Sequence, residues 1–261
     1  MMVDFNHLYL VVDLPTYQAI RNSSYIQSLA CTYEQRNNAE GQLGWEGFYI
    51  RGKNTFLEIF YPQARYPVPG ISGIALGTQS VGHLQDVLRA FTSSYPSAQI
   101  GKFSKGGRSW FDYVCVDDSF FQEKHSFWIM EYSPDCFDEN EQDISPLHYN
   151  SNRFDPTRSF LDVTEFSIAL NPIGLEKLTS YLSICDLVRL EEFCFQTRAG
   201  IRIHLSEETL ERKGIFQVRF SLSDGLSNSI SLSMGGSKLE IENRQGEWHF
   251  QMNGSTTLQF N

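Results

Sequence analysis

Two stretches in the first half of the chain run through the same succession of elements, and a repeat of this kind restricts the fold more than any single motif. FNHLYLVV (5–12) is aromatic and branched, as a buried strand is. Pro15 then opens a helix through TYQAIRNSSYIQSLA, where its missing N–H costs nothing. Three strand-like runs follow: CTYEQRN, GWEGFYIR and NTFLEIFY. Arg51–Asn54 turns between the last two, and Pro62 ends the series. The order then starts again. ISGIALGT (71–78) is a strand. SVGHLQDVLRAFTSSYP (80–96) is a helix with Ser80 as N-cap and Val81, Leu84, Val87, Leu88 and Phe91 at helical spacing. AQIGKF, RSWFDYVCV and SFWIMEYS are strands, and Pro134 ends them. Trp45 with Tyr49 echoes Trp110 with Tyr113, and FLEIFYP echoes FWIMEYSP.

Residues 1–135 are therefore read as two β-α-β-β-β modules. An acidic linker follows at 136–158, and a diverged, strand-rich domain at 159–261. Its elements begin with FLDVTEFSIALN as a strand and PIGLEKLTSYLSICD as a helix. VRLEEFCFQT, GIRIHLSE, IFQVRFSLSD, SNSISLSM, SKLEIEN and EWHFQM follow as strands, a degenerate third module and a partial fourth. The fold class is α+β, with tandem β-α-β-β-β modules and a module-like second half.

A net charge of −10 argues against nucleic acid, which needs clustered Lys and Arg. No run of eighteen apolar residues is present, so no membrane span is expected. The start of the chain is read as a strand and not a leader. The five cysteines show no C-x-x-C spacing, which suits small buried hydrophobes in a reduced, cytoplasmic protein. G-x-S-x-G, Walker and H-E-x-x-H patterns are absent. GKFSKGG (101–107) is read as a hairpin loop, for it lacks the strand-loop-helix setting of a phosphate cradle.

The paired modules resemble those of the vicinal oxygen chelate superfamily, which includes glyoxalase I, extradiol dioxygenases and fosfomycin-resistance proteins. The resemblance implies a cupped mixed sheet around a divalent metal, held by residues of the first and last strand of each module. Carried onto this chain, the ligands are His7, Glu58 and Glu131, with Gly73 standing where a second His is expected. His148 in the linker is the alternative donor. The metal would be Fe²⁺, Mn²⁺, Zn²⁺, Ni²⁺ or Mg²⁺. Glu58 or Glu131 could also serve as general base, in Lewis-acid chemistry on adjacent oxygens of a small molecule.

The residues carry readings of their own. Glu58 shares a strand face with Phe56 and Phe60, where a carboxylate is costly unless paired, protonated or metal-bound; otherwise that face is solvated and Leu57 and Ile59 are core. Trp45, Tyr49, Trp110 and Tyr113 suit the walls of a small-ligand cavity, or else plain core packing. Arg51, beside a turn, is expected at the surface, as is His125 in a loop. His83, His204 and His249 are minor candidates. Two further functions stay open: metal-free sequestration of a small molecule in the same cup, and an interaction protein. The superfamily often dimerises, so a homodimer is a possible assembly.

Overall fold

The computed structural model describes residues 3–29, 46–63, 68–105, 107–116, 125–137, 150–223 and 229–251. Trp45, His148 and the CTYEQRN run lie outside them.

The first strand, β1 (Val3–Val11), leads into α1 (Leu14–Asn22) and α2 (Ser24–Leu29). Asp13 caps α1 by accepting from Thr16 N at 2.7 Å, with Pro15 in the first turn. The single helix expected here is broken at Ser23, whose extended backbone ends α1. The chain returns through β2 (Gly47–Arg51) and β3 (Phe56–Phe60), and β3 pairs parallel with β1. The second unit runs β4 (Ser72–Thr78), α3 (Leu84–Thr92), β5 (Gln99–Lys105), β6 (Arg108–Cys115) and β7 (His125–Tyr132), one returning strand more than the first unit has among the described residues. β7 pairs parallel with β4, as a crossover helix requires. The two first strands, β1 and β4, meet antiparallel and join the units into one seven-stranded sheet, β2-β3-β1-β4-β7-β6-β5.

The expected helix at 80–96 starts later than its spacing suggests. Gly82 has φ +88°, which breaks the first turn, and Val81 is half-exposed. His125, expected in a loop, is the buried first residue of β7.

The second sheet repeats the plan with one departure. β8 (Phe160–Leu170) leads to α4 (Pro172–Ile184), capped by Asn171 accepting from Gly174 N at 2.8 Å. β9 (Val188–Glu191), β10 (Cys194–Gln196) and β11 (Arg202–Glu207) follow, and β11 returns parallel to β8. VRLEEFCFQT is thus a hairpin and not one strand. Arg189 holds the turn through the Glu192 carbonyl. β12 (Gly214–Leu222) runs antiparallel to β8, as β4 does to β1. Its unit has no helix among the described residues, and β13 (Ile230–Met234), β14 (Ser237–Glu242) and β15 (Gln245–Phe250) form a meander. Without a crossover, β15 lies antiparallel to β12. The order is β13-β14-β15-β12-β8-β11-β10-β9. The architecture is thus α+β, two mixed sheets built from module-like units.

One continuous core joins one face of each sheet with the helices. It holds Leu8, Leu57, Ile59, Ile74, Phe91, Ile129, Phe166, Leu178, Val218 and Trp248. Phe5 meets Phe166 across it, and Tyr95 Oη donates to Ser180 Oγ between α3 and α4. A polar clasp adds to this contact. Asp162 on β8 accepts four hydrogen bonds of 2.7–2.9 Å from Asn54 and Thr55 in the β2–β3 turn. No helix among the described residues is long and apolar enough to cross a membrane.

Candidate binding cup

Two strand-to-strand rows define the other face of the first sheet. Direct partners run Arg51–Phe56–His7–Ala75–Trp128 in one row and Tyr49–Glu58–Tyr9–Gly73–Ser126 in the next. Neighbours opposite one another share a face, so these side chains stand together. β3 is buried on both sides save for a half-buried Glu58, which rules out a solvated Phe56/Phe60 face. Glu58 does stand inside an aromatic cup.

The cup is mostly ring. His7 stacks on Phe56 at 4.2 Å between centroids and meets the edge of Trp128 at 5.3 Å. Tyr9 lies between Phe60 at 5.9 Å and Trp128 at 6.0 Å. Tyr49 contacts Phe56 and Phe60, each at 6.4 Å. Tyr113 occupies the other arm, opposite Met130. Both Tyr113 and Trp110 pack with Met130, Tyr132 and Phe137.

Gly73 has a physical cause. A Cβ there would come within 2.2 Å of Tyr9 Cε1 and 2.9 Å of Trp128 Cζ3. Tyr9 lies across the glycine, and its hydroxyl donates to Ser126 Oγ at 2.9 Å. The expected second-His position is filled by a phenol ring. The parallel registers extend the point. β1 sets His7 beside Phe56, two residues before Glu58. β4 sets Gly73 beside Ser126, two residues before Trp128. The counterpart of Glu58 in the second unit is therefore Trp128.

Glu131 stands elsewhere. By alternation along β7 it shares the core side with Phe127 and Ile129, away from Trp128, Met130 and Tyr132. Its carboxylate accepts Gly82 N at 2.8 Å, Leu84 N at 3.1 Å and Thr78 Oγ1 at 3.2 Å. This acid satisfies the start of α3, where the amide dipoles favour a negative charge. The expected three-residue centre of His7, Glu58 and Glu131 is corrected accordingly: Glu131 faces away from the other two. Among the described residues no three His, Cys, Asp or Glu side chains gather as a metal site.

His7 is held neutral. Burial, and then the charge of Arg51, lower its pKa to about 3. Asn6 Oδ1 lies 2.7 Å from its Nδ1 and also accepts from Tyr132 Oη at 3.2 Å. Arg51, expected at the surface, is only 5% exposed. Its Cζ lies 4.8 Å from the Phe56 ring centre and 5.5 Å from that of Tyr49. A guanidinium this close opposes a dication on the imidazole. The donor set and the charge therefore fit a resident divalent metal poorly.

The equivalent face of the second sheet is polar. Glu165 is buried between Arg202 Nε at 2.8 Å and Arg219 Nη1 at 2.9 Å, with His204 Nε2 at 3.6 Å. Arg219 Nε also reaches Glu247 Oε2 at 2.9 Å, and His249 Nε2 lies 2.7 Å from the other oxygen. Burial works against the Glu247 carboxylate, yet hydrogen bonds from Arg219 and Gln217 bring it below the usual range. His204 and His249, minor candidates in the sequence, thus belong to a network that supplies its own cations. Cys185 is buried and its thiol is pushed far up by desolvation, so it is an inert core residue.

A family model matches residues 5–250. The chain belongs to DUF5829, a family of unknown function. Among curated proteins none matches this DUF5829 member. A hypothetical protein from Staphylococcus aureus is similar in structure, with TM-score 0.58 and 9% identity over 93% of this chain and 99% of the other. That likeness is one of fold. Weaker likenesses include the 2,3-dioxygenase LapB from Pseudomonas sp. KL28, at TM-score 0.49 and 8% identity over 95% and 91%. Another is the Mn(II)-bound glyoxalase from Novosphingobium aromaticivorans, at TM-score 0.44 and 12% identity over 92% and 77%.

Proposed function

We propose that the cup of the first sheet binds a small organic molecule and does so without a resident divalent metal. The observation that supports this reading is the pair of substitutions at the module-two ligand positions, Gly73 covered by the Tyr9 ring and Trp128 in place of a carboxylate. Both replace donors by aromatic surface, which suits an apolar ligand body. The geometry thus favours sequestration or transport over the metal-dependent catalysis that the family resemblance implies.

The test is a pair of titrations on chelator-treated protein. Calorimetry with Mn²⁺, Fe²⁺, Zn²⁺, Ni²⁺ and Mg²⁺ is expected to show no stoichiometric uptake. Thermal shift against small aromatic compounds is expected to raise the melting temperature. One metal per chain, lost in both His7→Ala and Glu58→Ala, would overturn the proposal.

A further inference from the structure

Arg51 carries a buried positive charge whose contacts, among the described residues, are two aromatic rings. Its Nη1 is out of reach of solvent and meets no hydrogen-bond partner among the described residues. A buried guanidinium donor left unpaired costs free energy, and native structures rarely leave one so without a ligand or ion to complete it. Arg51 pairs with Phe56 across the β2–β3 ladder, so it stands in the row that contains His7 and Trp128. The unpaired donor therefore belongs to the cup and not to the outer surface.

We propose that Arg51 recognises the carboxylate of a small monoanionic ligand whose apolar body lies against the cup's rings. This rests on the reading of the cup as a metal-free binding site and names its ligand class. The planar guanidinium matches a carboxylate edge to edge, and a charge-assisted bond in a buried setting is stronger than a neutral one. Phe56 and Tyr49 both contact the guanidinium, and the side chain is buried, so part of its entropy is already lost before binding. The ligand carries one negative charge and not two because Glu58 occupies the same face, one row away, in a chain of net charge −10. Tyr49 and Phe56 lie against the cation, and Tyr9 and Trp128 stand farther along the same face, an aromatic setting that suits an aromatic or short aliphatic acid.

The experiment uses the full chain and three probe acids, benzoate, phenylacetate and hexanoate, with benzamide as the neutral match for benzoate. Calorimetry is expected to show one-to-one binding of at least one acid, with benzamide weaker by roughly tenfold or more. Arg51→Met keeps the volume and removes the charge. It is expected to weaken the acid by roughly tenfold or more and leave benzamide unchanged. Because Nη1 meets no hydrogen-bond partner among the described residues, the melting temperature of Arg51→Met without ligand is expected to stay near that of wild type, removal of a buried charge offsetting the lost cation–π contacts. Arg51→Lys, which keeps the charge without the fork, is expected to bind the acid with intermediate affinity. Equal binding of benzoate and benzamide, or full benzoate affinity in Arg51→Met, would overturn the anion assignment while the cup remains a binding site. Failure of every organic probe, with uptake of a divalent metal through His7, would overturn this inference and the proposed function together.

Discussion

The ring of Tyr9 lies across Gly73, so close that a single added methyl carbon would stand 2.2 Å from Cε1. This contact replaces a ligand position by packing. Gly73→Ala is expected to destabilise the protein by roughly 1–3 kcal/mol, the usual cost of overfilling a packed site. Tyr9→Leu in the same chain should restore part of the loss. A double-mutant cycle by urea unfolding reads the coupling, and strict additivity would contradict the contact.

Glu131 provides a second check, because its role at α3 differs from that of a metal ligand. Glu131→Gln keeps the shape but removes the charge facing Gly82 N and Leu84 N. The expected loss is about 1 kcal/mol of stability. Affinity for a small organic ligand in the cup should stay unchanged, since the side chain is on the opposite face of the sheet. A large fall in ligand affinity at constant stability would contradict this placement.

The neutral state of His7 makes stability depend on pH. Its pKa falls from 6.5 to about 3 on folding, so the unfolded chain takes up a proton below pH 6.5 while the folded chain does not. The stabilisation is therefore complete above pH 6.5 and is lost as pH falls toward 3. Between pH 7 and pH 5 wild type should lose about 2 kcal/mol more than His7→Gln, which cannot titrate. Equal losses in urea titrations of the two proteins would remove His7 as the cause.

Asp162 fastens the second sheet to the β2–β3 turn. Asp162→Ala leaves Asn54 N, Asn54 Nδ2, Thr55 N and Thr55 Oγ1 without their acceptor. A loss of about 3 kcal/mol is expected, since several donors are stranded in a half-buried site. The same turn begins just after Arg51, so hydrogen exchange of the β2–β3 amides should quicken in the variant. Unchanged exchange there would show that the turn holds without the clasp.

Much of the fold was legible in local signals. Pro15 marks the start of α1, where its missing N–H costs nothing, whereas Ser80, expected as the cap of the next helix, does not cap α3, which starts at Leu84. Alternation in Phe56–Phe60 placed Glu58 on an aromatic face, where it stands. The site was less legible. The echo between FLEIFYP and FWIMEYSP paired Glu58 with Glu131, but strand register pairs it with Trp128 and turns Glu131 the other way. A shift of one residue reverses every side chain in a strand, and flanking apolar residues on both sides of Glu131 conceal which face is which. Arg51 illustrates a related effect: closeness to a turn suggests solvent, while the side chain is buried with Tyr49 and Phe56 against it.

The strand-helix-strand order, the Pro15 helix start and the alternation within each strand follow from residues a few positions apart, and so they are written in the sequence. Long-range pairing, in contrast, sets Tyr9 over Gly73, turns Glu131 to α3 and buries Arg51, whose Nη1 has no hydrogen-bond partner among the described residues. Those outcomes depend on the β1–β4 seam and on the parallel registers of β3 and β7, which bring together residues far apart in the chain. The burial of a charge, and with it the chemistry open to it, is set by those distant neighbours.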